Sequence, residues 1–250
     1  MPLTNDQRER YTRHLALAEV GEGGQERLGR SSVLVVGAGG LGSPVALYLT
    51  AVGVGTLGVM DNDRVQLSNL QRQILHGTAE LGGRKTESAR ATLQNLNPDL
   101  CLEVFDIRLE PGNAGGIVEG FDFVVDATDN FESRFVLAEA CHLVGTAYSH
   151  AGVMGMQGQA LTVLPSVTAC YRCVFPESPD EEDLASCQTV GLLGTLPGIL
   201  GTIQATEAVK YLLGIGELLT NRLLTVDARR FGFRTVPVRR NANCPLCSTG

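Results

Sequence analysis

Short apolar runs and longer amphipathic segments alternate along the first half of the chain. The apolar runs, together with one alternating run, predict strands at residues 32–36, 56–60, 101–109 and 121–126. Segments with helical periodicity predict helices at residues 41–52, 85–96 and 131–143. Because strands and helices alternate, the pattern predicts an α/β fold with a doubly wound, mostly parallel sheet.

The two ends of the chain continue this pattern differently. Residues 6–29 mix polar and apolar positions and predict a helical N-terminal segment. In the second half, a helix is predicted at 202–213, ending at Gly214, and strands at 158–164, 223–227 and 234–238. We expect the late strands to form a C-terminal antiparallel extension of the sheet. With no internal repeat or linker, residues 1–250 are expected to form one domain.

Two uncharged runs, residues 31–60 and 188–206, have the length of a membrane span. Seven glycines and Pro44 interrupt the first run, and four glycines and Pro197 interrupt the second. Glycines at such intervals indicate turns between elements. The first run therefore predicts a buried β-α-β unit and the second a buried helix start or a subunit interface, with no membrane segment in either.

Charge and composition narrow the possible partners. The formal net charge is −7 and the pI is about 5.1, which disfavours nonspecific binding of nucleic acid and of anionic membranes. Aromatic residues make up 5% of the chain and tryptophan is absent, which disfavours a base-stacking platform. No basic, apolar leader opens the sequence, and seven cysteines cannot all pair within one chain. These features predict a protein of the reducing cytoplasm whose cysteine clusters bind metal or act as thiols.

A glycine turn follows the first predicted strand. Gly37, Gly39 and Gly42 match G-x-G-x-x-G between a strand and a helix, and Asp61 ends the next strand. Glycines let the backbone approach a phosphate, the helix N-terminus offers free N–H groups, and the carboxylate suits a ribose hydroxyl. The pattern predicts a Rossmann-like nucleotide site, with a purely structural turn as the alternative. It does not choose between NAD, FAD and ATP.

Two cations and a carboxylate favour ATP over a dinucleotide. Arg72 and Lys85 come after Asp61, and Asp129 follows the predicted strand 121–126. These residue types suit a triphosphate with a divalent metal ion, whereas hydride transfer needs no such set. For any single one of them, solvated surface charge is the alternative.

Taken in order, these motifs resemble the ThiF/MoeB/HesA family, bacterial relatives of the ubiquitin-activating enzymes. The resemblance covers roughly residues 10–247, and the Ser-Asn-Leu-Gln-Arg-Gln string is its specific signal. It is carried by Arg10-Tyr11-x-Arg13-His14, Gly37-x-Gly39-Gly40-x-Gly42, Asp61-x-Asp63, Ser68-Asn69-Leu70-Gln71-Arg72-Gln73, Lys85 and Asp126-x-x-Asp129-Asn130.

The resemblance implies an adenylyltransferase that uses Mg-ATP to activate the C-terminal glycine carboxylate of a ubiquitin-fold sulfur carrier ending in Gly-Gly. It implies that Asp61 holds the ribose, Arg72 and Lys85 the phosphates, and Asp129 the magnesium ion. The family is homodimeric, and Arg13 would reach the ATP of the partner subunit. The full set of nucleotide contacts implied is Gly39, Gly40, Asp61, Asp63, Ser68, Asn69, Leu70, Gln71, Arg72, Lys85, Asp129 and Asn130.

The residue types near the glycine turn also fit adenylation when they are considered without the resemblance. A carboxylate nucleophile is ionised at neutral pH, so no general base is required. We accordingly expect no Ser/His/Asp pattern near the turn. The four histidines show no metal-ligand spacing and are expected to be structural. On this interpretation residues 31–130 form the nucleotide-binding half, and residues 131–250 form the half that binds the carrier and zinc.

Two C-x-x-C pairs, Cys170/Cys173 and Cys244/Cys247, predict a structural zinc site. Each pair can place two sulfurs on one ion, and two pairs complete a closed tetrahedral site of four thiolates. A redox dithiol is the alternative, but it needs only one pair. The second pair lies three residues from the end of the sequence, so a metal there would pin the last residues to the body. The resemblance implies the same zinc.

The other three cysteines differ from one another. Cys101 in a predicted strand and Cys141 in a predicted helix are expected to be buried and inert. Cys187 follows the acidic segment 177–183, and the resemblance places it on a loop near the tail of the carrier. There it is a candidate for a covalent acyl intermediate. The alternative is an exposed bystander, and the nearby carboxylates disfavour its thiolate.

The substrate and the reaction class leave alternatives. The molybdopterin-synthase carrier is the first choice of substrate and the thiamine carrier the second, since neither the acidic segment nor Cys187 separates them. The sequence has no room for a rhodanese domain after Cys247, which implies a separate sulfur donor. Two other classes of protein remain as alternatives: an NAD(P)-dependent oxidoreductase and a scaffold that binds nucleotide without catalysis.

Overall fold

The strands of the described chain form one sheet in the order β3-β2-β1-β4-β5-β6-β7-β8. The structure, a computed structural model, describes residues 2–178 and 191–248. Neighbours from β3 to β5 pair in parallel, and neighbours from β5 to β8 pair antiparallel. The predicted α/β sheet with its C-terminal antiparallel extension is confirmed. The strands are β1 (Ser32–Val36), β2 (Thr56–Met60), β3 (Cys101–Phe105), β4 (Phe123–Asp126), β5 (Ala147–Met154), β6 (Gln157–Val163), β7 (Arg222–Asp227) and β8 (Gly232–Pro237).

Helices cover both faces of this sheet. The described helices are α1 (Asn5–Arg10), α2 (Thr12–Leu15), α3 (Gly21–Leu28), α4 (Gly42–Ala51), α5 (Lys85–Leu96), α6 (Pro111–Val118), α7 (Phe131–Val144), α8 (Tyr171–Val174) and α9 (Thr195–Leu213). Alternate residues of β1 belong to two separate cores: Val33 and Val35 pack with α3, α4, α5 and α9, whereas Leu34 and Val36 pack with α6, α7 and α8. A strand buried on both faces reads as a continuous apolar run, which is what the sequence shows there.

The structure differs from the sequence-based elements at several places. The N-terminal segment 6–29, predicted to be helical, forms the three short helices α1, α2 and α3, whereas β3 ends at Phe105 instead of residue 109. Helix α9 begins at Thr195, not at 202. Its first turn includes Pro197, where the missing N–H of proline costs no intrahelical hydrogen bond.

Three of the described α-helices and strands were not predicted: α6, α8 and β5. Helix α6 contains three glycines, which lower helix propensity, and it forms because Ala114 and Val118 are buried against the core. Strand β5 has six consecutive buried residues at its start, so it lacks the alternation of a half-exposed strand.

Close packing of two helices sets the position of the glycine turn. A Cβ at Gly201 on α9 would overlap the carbonyl oxygen of Leu41, which precedes α4. Only glycine allows this approach. The start of α9 is thereby held over the turn that opens α4.

Within residues 2–178 and 191–248, no helix combines the length and the apolar character needed to cross a membrane. The apolar run 31–60 instead forms β1, α4 and β2.

Candidate functional site

The carboxyl ends of three parallel strands meet at one edge of the sheet. Val36, the last residue of β1, lies in register with Met60 of β2 on one side and with Asp126 of β4 on the other. Because β2 and β4 flank β1, the chain leaves β1 at the point where the sheet changes winding direction. Crevices at such switch points are where open α/β sheets bind ligands.

The glycine turn is shaped by close backbone contacts. Gly37 has φ +101°, and a Cβ there would lie 2.6 Å from the carbonyl oxygen of Ala127. A Cβ at Gly42 would overlap the carbonyl oxygen of Gly37. Gly39 and Gly40 have more space, and their backbone N–H groups donate to no other group in the described part of the chain. The turn therefore presents free donors at the crevice, as an anion site requires.

A buried cation lies next to the turn. Lys85 begins α5 and is only 4% exposed, with its Nζ 3.5 Å from Asp61 Oδ2 and 2.9 Å from Asp63 Oδ2. Asp61 is also nearly buried and accepts a 2.8 Å hydrogen bond from the N–H of Ala38. Asp63 is 66% exposed. A buried ammonium needs a charged partner, and Asp61 and Asp63 supply it here.

The Ser68–Gln73 segment places a second cation against the turn. A short 3₁₀ helix, Leu67–Asn69, ends where the carbonyl of Asn69 accepts from the N–H groups of Arg72 and Gln73. The Nη1 of Arg72 donates to the carbonyl of Ser68 at 3.2 Å, and its Cγ would lie 3.3 Å from a Cβ at Gly40. Arg72 thus lies against Gly40, and Lys85 is linked to the same turn through Asp61, which accepts from the N–H of Ala38.

The remaining residues of this predicted set have structural neighbours. Leu70 is half-buried, and the side chain and carbonyl of Gln71 lie so close to Gly194 that a Cβ there would overlap them. Ser68 is exposed and contributes its carbonyl oxygen to Arg72. The segment is therefore packed between the turn and the start of α9.

The loop after β4 is organised by a buried carboxylate. Asp126 accepts hydrogen bonds from Thr128 N at 3.1 Å, Thr128 Oγ1 at 2.7 Å and His150 Nδ1 at 2.7 Å. Burial acts to raise the pKa of Asp126, but these bonds hold it below the ordinary value for the residue. Asp129 and Asn130 follow and are exposed, and Asn130 caps α7 by accepting from the N–H of Ser133 at 2.9 Å.

Two histidines at this edge, which the sequence predicts only to be structural, are buried and have polar partners that the sequence does not indicate. His76 bonds Ala38 in the glycine turn, and His150 bonds Asp126. Burial lowers the pKa of both rings. His76 follows the Ser68–Gln73 segment directly, but nothing in the local pattern marks it. The pairing of His150 with Asp126 depends on the register of β5, which was not predicted.

Arg13 lies apart from these contacts. It is exposed on α2, and its side chain has no hydrogen bond or ion pair to any other described residue. Its neighbours are anchored: Tyr11 Oη accepts from Asn97 Nδ2 at 3.0 Å, and His14 Nδ1 lies 2.9 Å from Gln25 Oε1. The helix is thus tied to the body while the arginine projects outward.

The two C-x-x-C pairs form one cluster. All four Sγ atoms lie within 4.8 Å of one another, with separations of 3.7 Å for Cys170–Cys173, 3.5 Å for Cys170–Cys244 and 3.4 Å for Cys173–Cys247. A tetrahedral ion with Zn–S bonds of about 2.3 Å needs sulfurs about 3.8 Å apart. The cluster therefore fits a tetrahedral ion such as zinc.

Backbone groups support this cluster. Burial acts to raise the pKa of Cys244, but the N–H groups of Cys247 and Leu246 lower it to about 7, which favours the thiolate that a metal requires. The N–H of Asn241 points to Cys173 Sγ at 3.4 Å. Arg240 donates to the carbonyls of Cys247 and Ser166, so it joins the C-terminal segment to the loop after β6.

The predictions for the other three cysteines have different outcomes. Cys141 is buried in α7, as expected. The expectation that Cys101 is buried was wrong: β3 is an edge strand, and Cys101 lies on its exposed face. Cys187 lies outside the described residues.

Fold and site together define an α/β protein with a glycine turn at the switch point of its sheet and a separate cluster of four cysteines that could hold a metal ion. The ThiF family profile matches residues 11–246. The chain belongs to the ThiF family, which confirms the resemblance carried by the motifs.

Relatives of established name agree with this assignment. The chain is 48% identical over 250 residues to the SAMP-activating enzyme E1 of Haloferax volcanii, covering 100% of this chain and 92% of that protein. It is 44% identical over 252 residues to the sulfur carrier protein adenylyltransferase of Thermus thermophilus, covering 99% and 93%. It is 41% identical over 247 residues to the adenylyltransferase and sulfurtransferase MOCS3 of Aedes aegypti, covering 98% of this chain but 56% of that protein.

Solved structures share the fold. E. coli MccB with ATP superposes with a TM-score of 0.84 at 20% identity, covering 96% of this chain and 74% of that one. PaaA superposes with a TM-score of 0.80 at 22% identity, covering 96% and 76%. At this level of identity, the likeness supports the architecture alone.

Proposed function

We propose that the protein is an ATP-dependent adenylyltransferase that activates the C-terminal glycine carboxylate of a ubiquitin-fold sulfur carrier ending in Gly-Gly. Membership of the ThiF family and relatives named as carrier-activating enzymes support this class. One observation carries the proposal: the free N–H groups of the glycine turn lie beside two cations, Arg72 against Gly40 and the buried Lys85 next to Asp61.

In the proposed reaction, a carboxylate oxygen of the carrier forms a bond to the α-phosphorus of ATP. The bond from that phosphorus to the bridging oxygen of pyrophosphate breaks, and the electron pair leaves with pyrophosphate. The carboxylate is already ionised at neutral pH, so no base has to remove a proton. What the protein must supply is positioning of two anions that repel each other and stabilisation of charge on the leaving group.

The residues at the switch point fit these tasks. The turn and Arg72 would hold the phosphates, and Lys85 would exchange its exposed partner Asp63 for a phosphate oxygen. Asp61 would hold the ribose. Asp129, exposed in the loop after β4, is the proposed ligand for Mg²⁺, which when bound would neutralise phosphate charge. Asn130 would support the site through the loop, since its side chain caps α7.

The partners are part of the proposal. A carrier for molybdopterin synthase is the first candidate and the thiamine carrier the second; a relative named MOCS3 favours the first, although the chain spans about half of its length. A separate protein would donate sulfur. The active form would be a homodimer in which Arg13 reaches the partner's nucleotide. The four-cysteine cluster would hold structural zinc in a reducing cytoplasm.

Pyrophosphate exchange tests this proposal. Purified protein with Mg-ATP and labelled pyrophosphate should form labelled ATP only when a suitable carrier is added. A panel of carriers ending in Gly-Gly identifies the substrate, and a carrier lacking its last glycine is the matched control. No exchange with any carrier, together with tight binding of NAD(P) without magnesium, would instead support an oxidoreductase. Nucleotide binding without exchange would support a scaffold.

A further inference from the structure

Both backbone polar groups of Ala38 in the glycine turn are hydrogen-bonded, one in each of the two peptide groups that flank the residue. The N–H of Ala38 donates to Asp61 Oδ2 at 2.8 Å, and the carbonyl oxygen of Ala38 lies 2.8 Å from His76 Nε2. Ala38 and His76 are both buried. The Asp61 carboxylate and the His76 ring therefore determine how the Ala38 residue is oriented.

The hydrogen bonds assign the tautomer of His76. A carbonyl oxygen can only accept, so Nε2 carries the proton and donates to Ala38. Nδ1 then accepts from Ser88 Oγ at 2.9 Å. Ser88 lies on α5 one turn after Lys85. The ring thus connects the glycine turn to the helix that carries the buried cation.

The planar geometry of the Ala38–Gly39 peptide links the contact with His76 to the direction of the Gly39 N–H. In a planar trans peptide, the C=O of one residue and the N–H of the next point in opposite directions. Because the carbonyl of Ala38 points inward to His76, the N–H of Gly39 points away from it. Gly39 is partly exposed, and in the described part of the chain its N–H donates to no group.

We propose that His76 is a positioning residue that fixes the Ala38–Gly39 peptide so that the Gly39 N–H faces the phosphates of ATP. The inference rests on the proposed function for the identity of the anion. His76 touches neither substrate nor metal in this account. It acts through the backbone, and through Ser88 it keeps the turn in register with Lys85.

A phosphate-specific readout separates this role from a merely structural one. Calorimetry with ATP and with adenosine, both without carrier, measures binding with and without the phosphates. His76→Phe keeps an aromatic ring but cannot donate, so it should weaken ATP binding about tenfold or more, while adenosine binding changes less than about twofold. His76→Gln offers an amide donor and should recover most of the loss.

Two further variants keep the test decisive. His142→Phe on α7 is the matched control and should leave both affinities unchanged. If His76→Phe does not fold, Ser88→Ala serves instead, because it removes only the partner of Nδ1 and should weaken ATP binding a few-fold without affecting adenosine.

Each result bears on one claim. Equal losses for ATP and adenosine, or unchanged ATP affinity, would overturn the role of His76. A wild-type protein that fails to bind ATP would reject the proposed function itself. Wild-type binding with no carrier-dependent exchange would reject carrier adenylation while leaving the role of His76 intact.

Discussion

The parallel and antiparallel parts of the sheet hold their functional residues by different means. In the parallel part, the crevice residues follow the ends of neighbouring strands, and the register of β1 with β2 and β4 brings them together. In the antiparallel part, the cysteines come from two segments 74 residues apart that meet outside the strands. The pairing of the strands assembles the crevice, whereas the cysteine cluster links two segments that strand pairing does not bring together.

The exposure of the C-terminal segment explains why the antiparallel part needs a link to the rest of the protein. From residue 227 to 248, only Cys244 and Cys247 are buried, and β8 is exposed along most of its length. This segment has almost no apolar core of its own to stabilise it. We therefore expect the crevice to tolerate loss of its charged groups without unfolding, and the C-terminal segment to depend on its metal.

The largest expected effect is on activity in the parallel part. Asp129→Ala should reduce carrier-dependent pyrophosphate exchange about a thousandfold or more, because the proposed magnesium ligand is lost. The side chain is exposed, so the melting temperature and zinc content should stay close to those of the wild type.

Glu119→Ala, which removes another exposed carboxylate, is the control for this change and should exchange normally. A soluble Asp129→Ala protein with near-normal exchange would remove Asp129 from the site. A large fall in the melting temperature of Asp129→Ala would instead contradict the contrast between the two parts, because it would show that the crevice also stabilises the fold.

A second prediction concerns completion of the crevice by another copy of the chain. Arg13→Ala and Lys85→Ala should each lose exchange about a hundredfold or more. Mixed after subunit exchange, they should recover about a quarter of wild-type activity, because half of the dimers are mixed and each rebuilds one of two sites. With mixed dimers verified by mass, continued inactivity would show that Arg13 does not act across the dimer.

In the antiparallel part, substitutions should reduce stability rather than nucleotide binding. Cys244→Ser or Cys247→Ser should abolish zinc binding and lower the melting temperature by about 10 °C or more, because the metal ties an otherwise weakly packed segment to the body. Metal analysis and thermal unfolding measure both effects. Below its melting temperature, the variant should still bind ATP.

Cys101→Ser is the matched control, since this exposed thiol lies on β3 away from the cluster. Protein prepared without chelators that contains no zinc would contradict the metal assignment. Loss of ATP binding at a temperature where Cys244→Ser remains folded would show that the two parts are coupled.

The two parts also differ in how well the sequence predicts them. Strands β1 and β2 and the glycine turn were predicted because local signals agree: an apolar run, spaced glycines and an acid at the next strand end. The cysteine cluster was predicted from spacing alone, although its segments are far apart. Strand β5 and helix α6 were missed because burial, not local propensity, makes them form.

Buried polar contacts were the least predictable features. The bond from His76 to Ala38 and the bond from His150 to Asp126 join residues whose proximity depends on the assembled fold. Neither histidine has a local pattern that distinguishes it from a surface residue. Motifs therefore predict which groups would meet a ligand, whereas the groups that hold them in place become visible only in three dimensions.

A smaller effect is expected from the titration of His76. Burial lowers its pKa in the folded protein, helped by Lys85 and opposed by its bond to Ala38, by Asp61 and by Glu80. Below about pH 6.5, the unfolded chain then binds more protons than the folded one, so the free energy of unfolding falls as the pH is lowered. Denaturant unfolding between pH 8 and 5.5 should show this fall, reduced in His76→Gln. Equal pH slopes for both proteins would be evidence against the shift.

The smallest expected effect is that of Cys187→Ala on adenylation. The carrier's own carboxylate attacks the α-phosphate, so a thiol has no part in that step. Pyrophosphate exchange should therefore remain nearly unchanged in the variant. Any covalent role of Cys187 must come later, when the acyl-adenylate reacts with a thiol or persulfide. Formation of the carrier thiocarboxylate with an added sulfur donor reports on both steps together.

Comparing the two assays assigns the role of Cys187. If exchange survives and thiocarboxylate formation stops, the thiol relays the acyl group after adenylation. If both survive, Cys187 is a bystander, which is the outcome we expect. A tenfold loss of exchange would mean that the thiol helps to position ATP or the carrier tail. The order of steps proposed for the crevice would then be wrong.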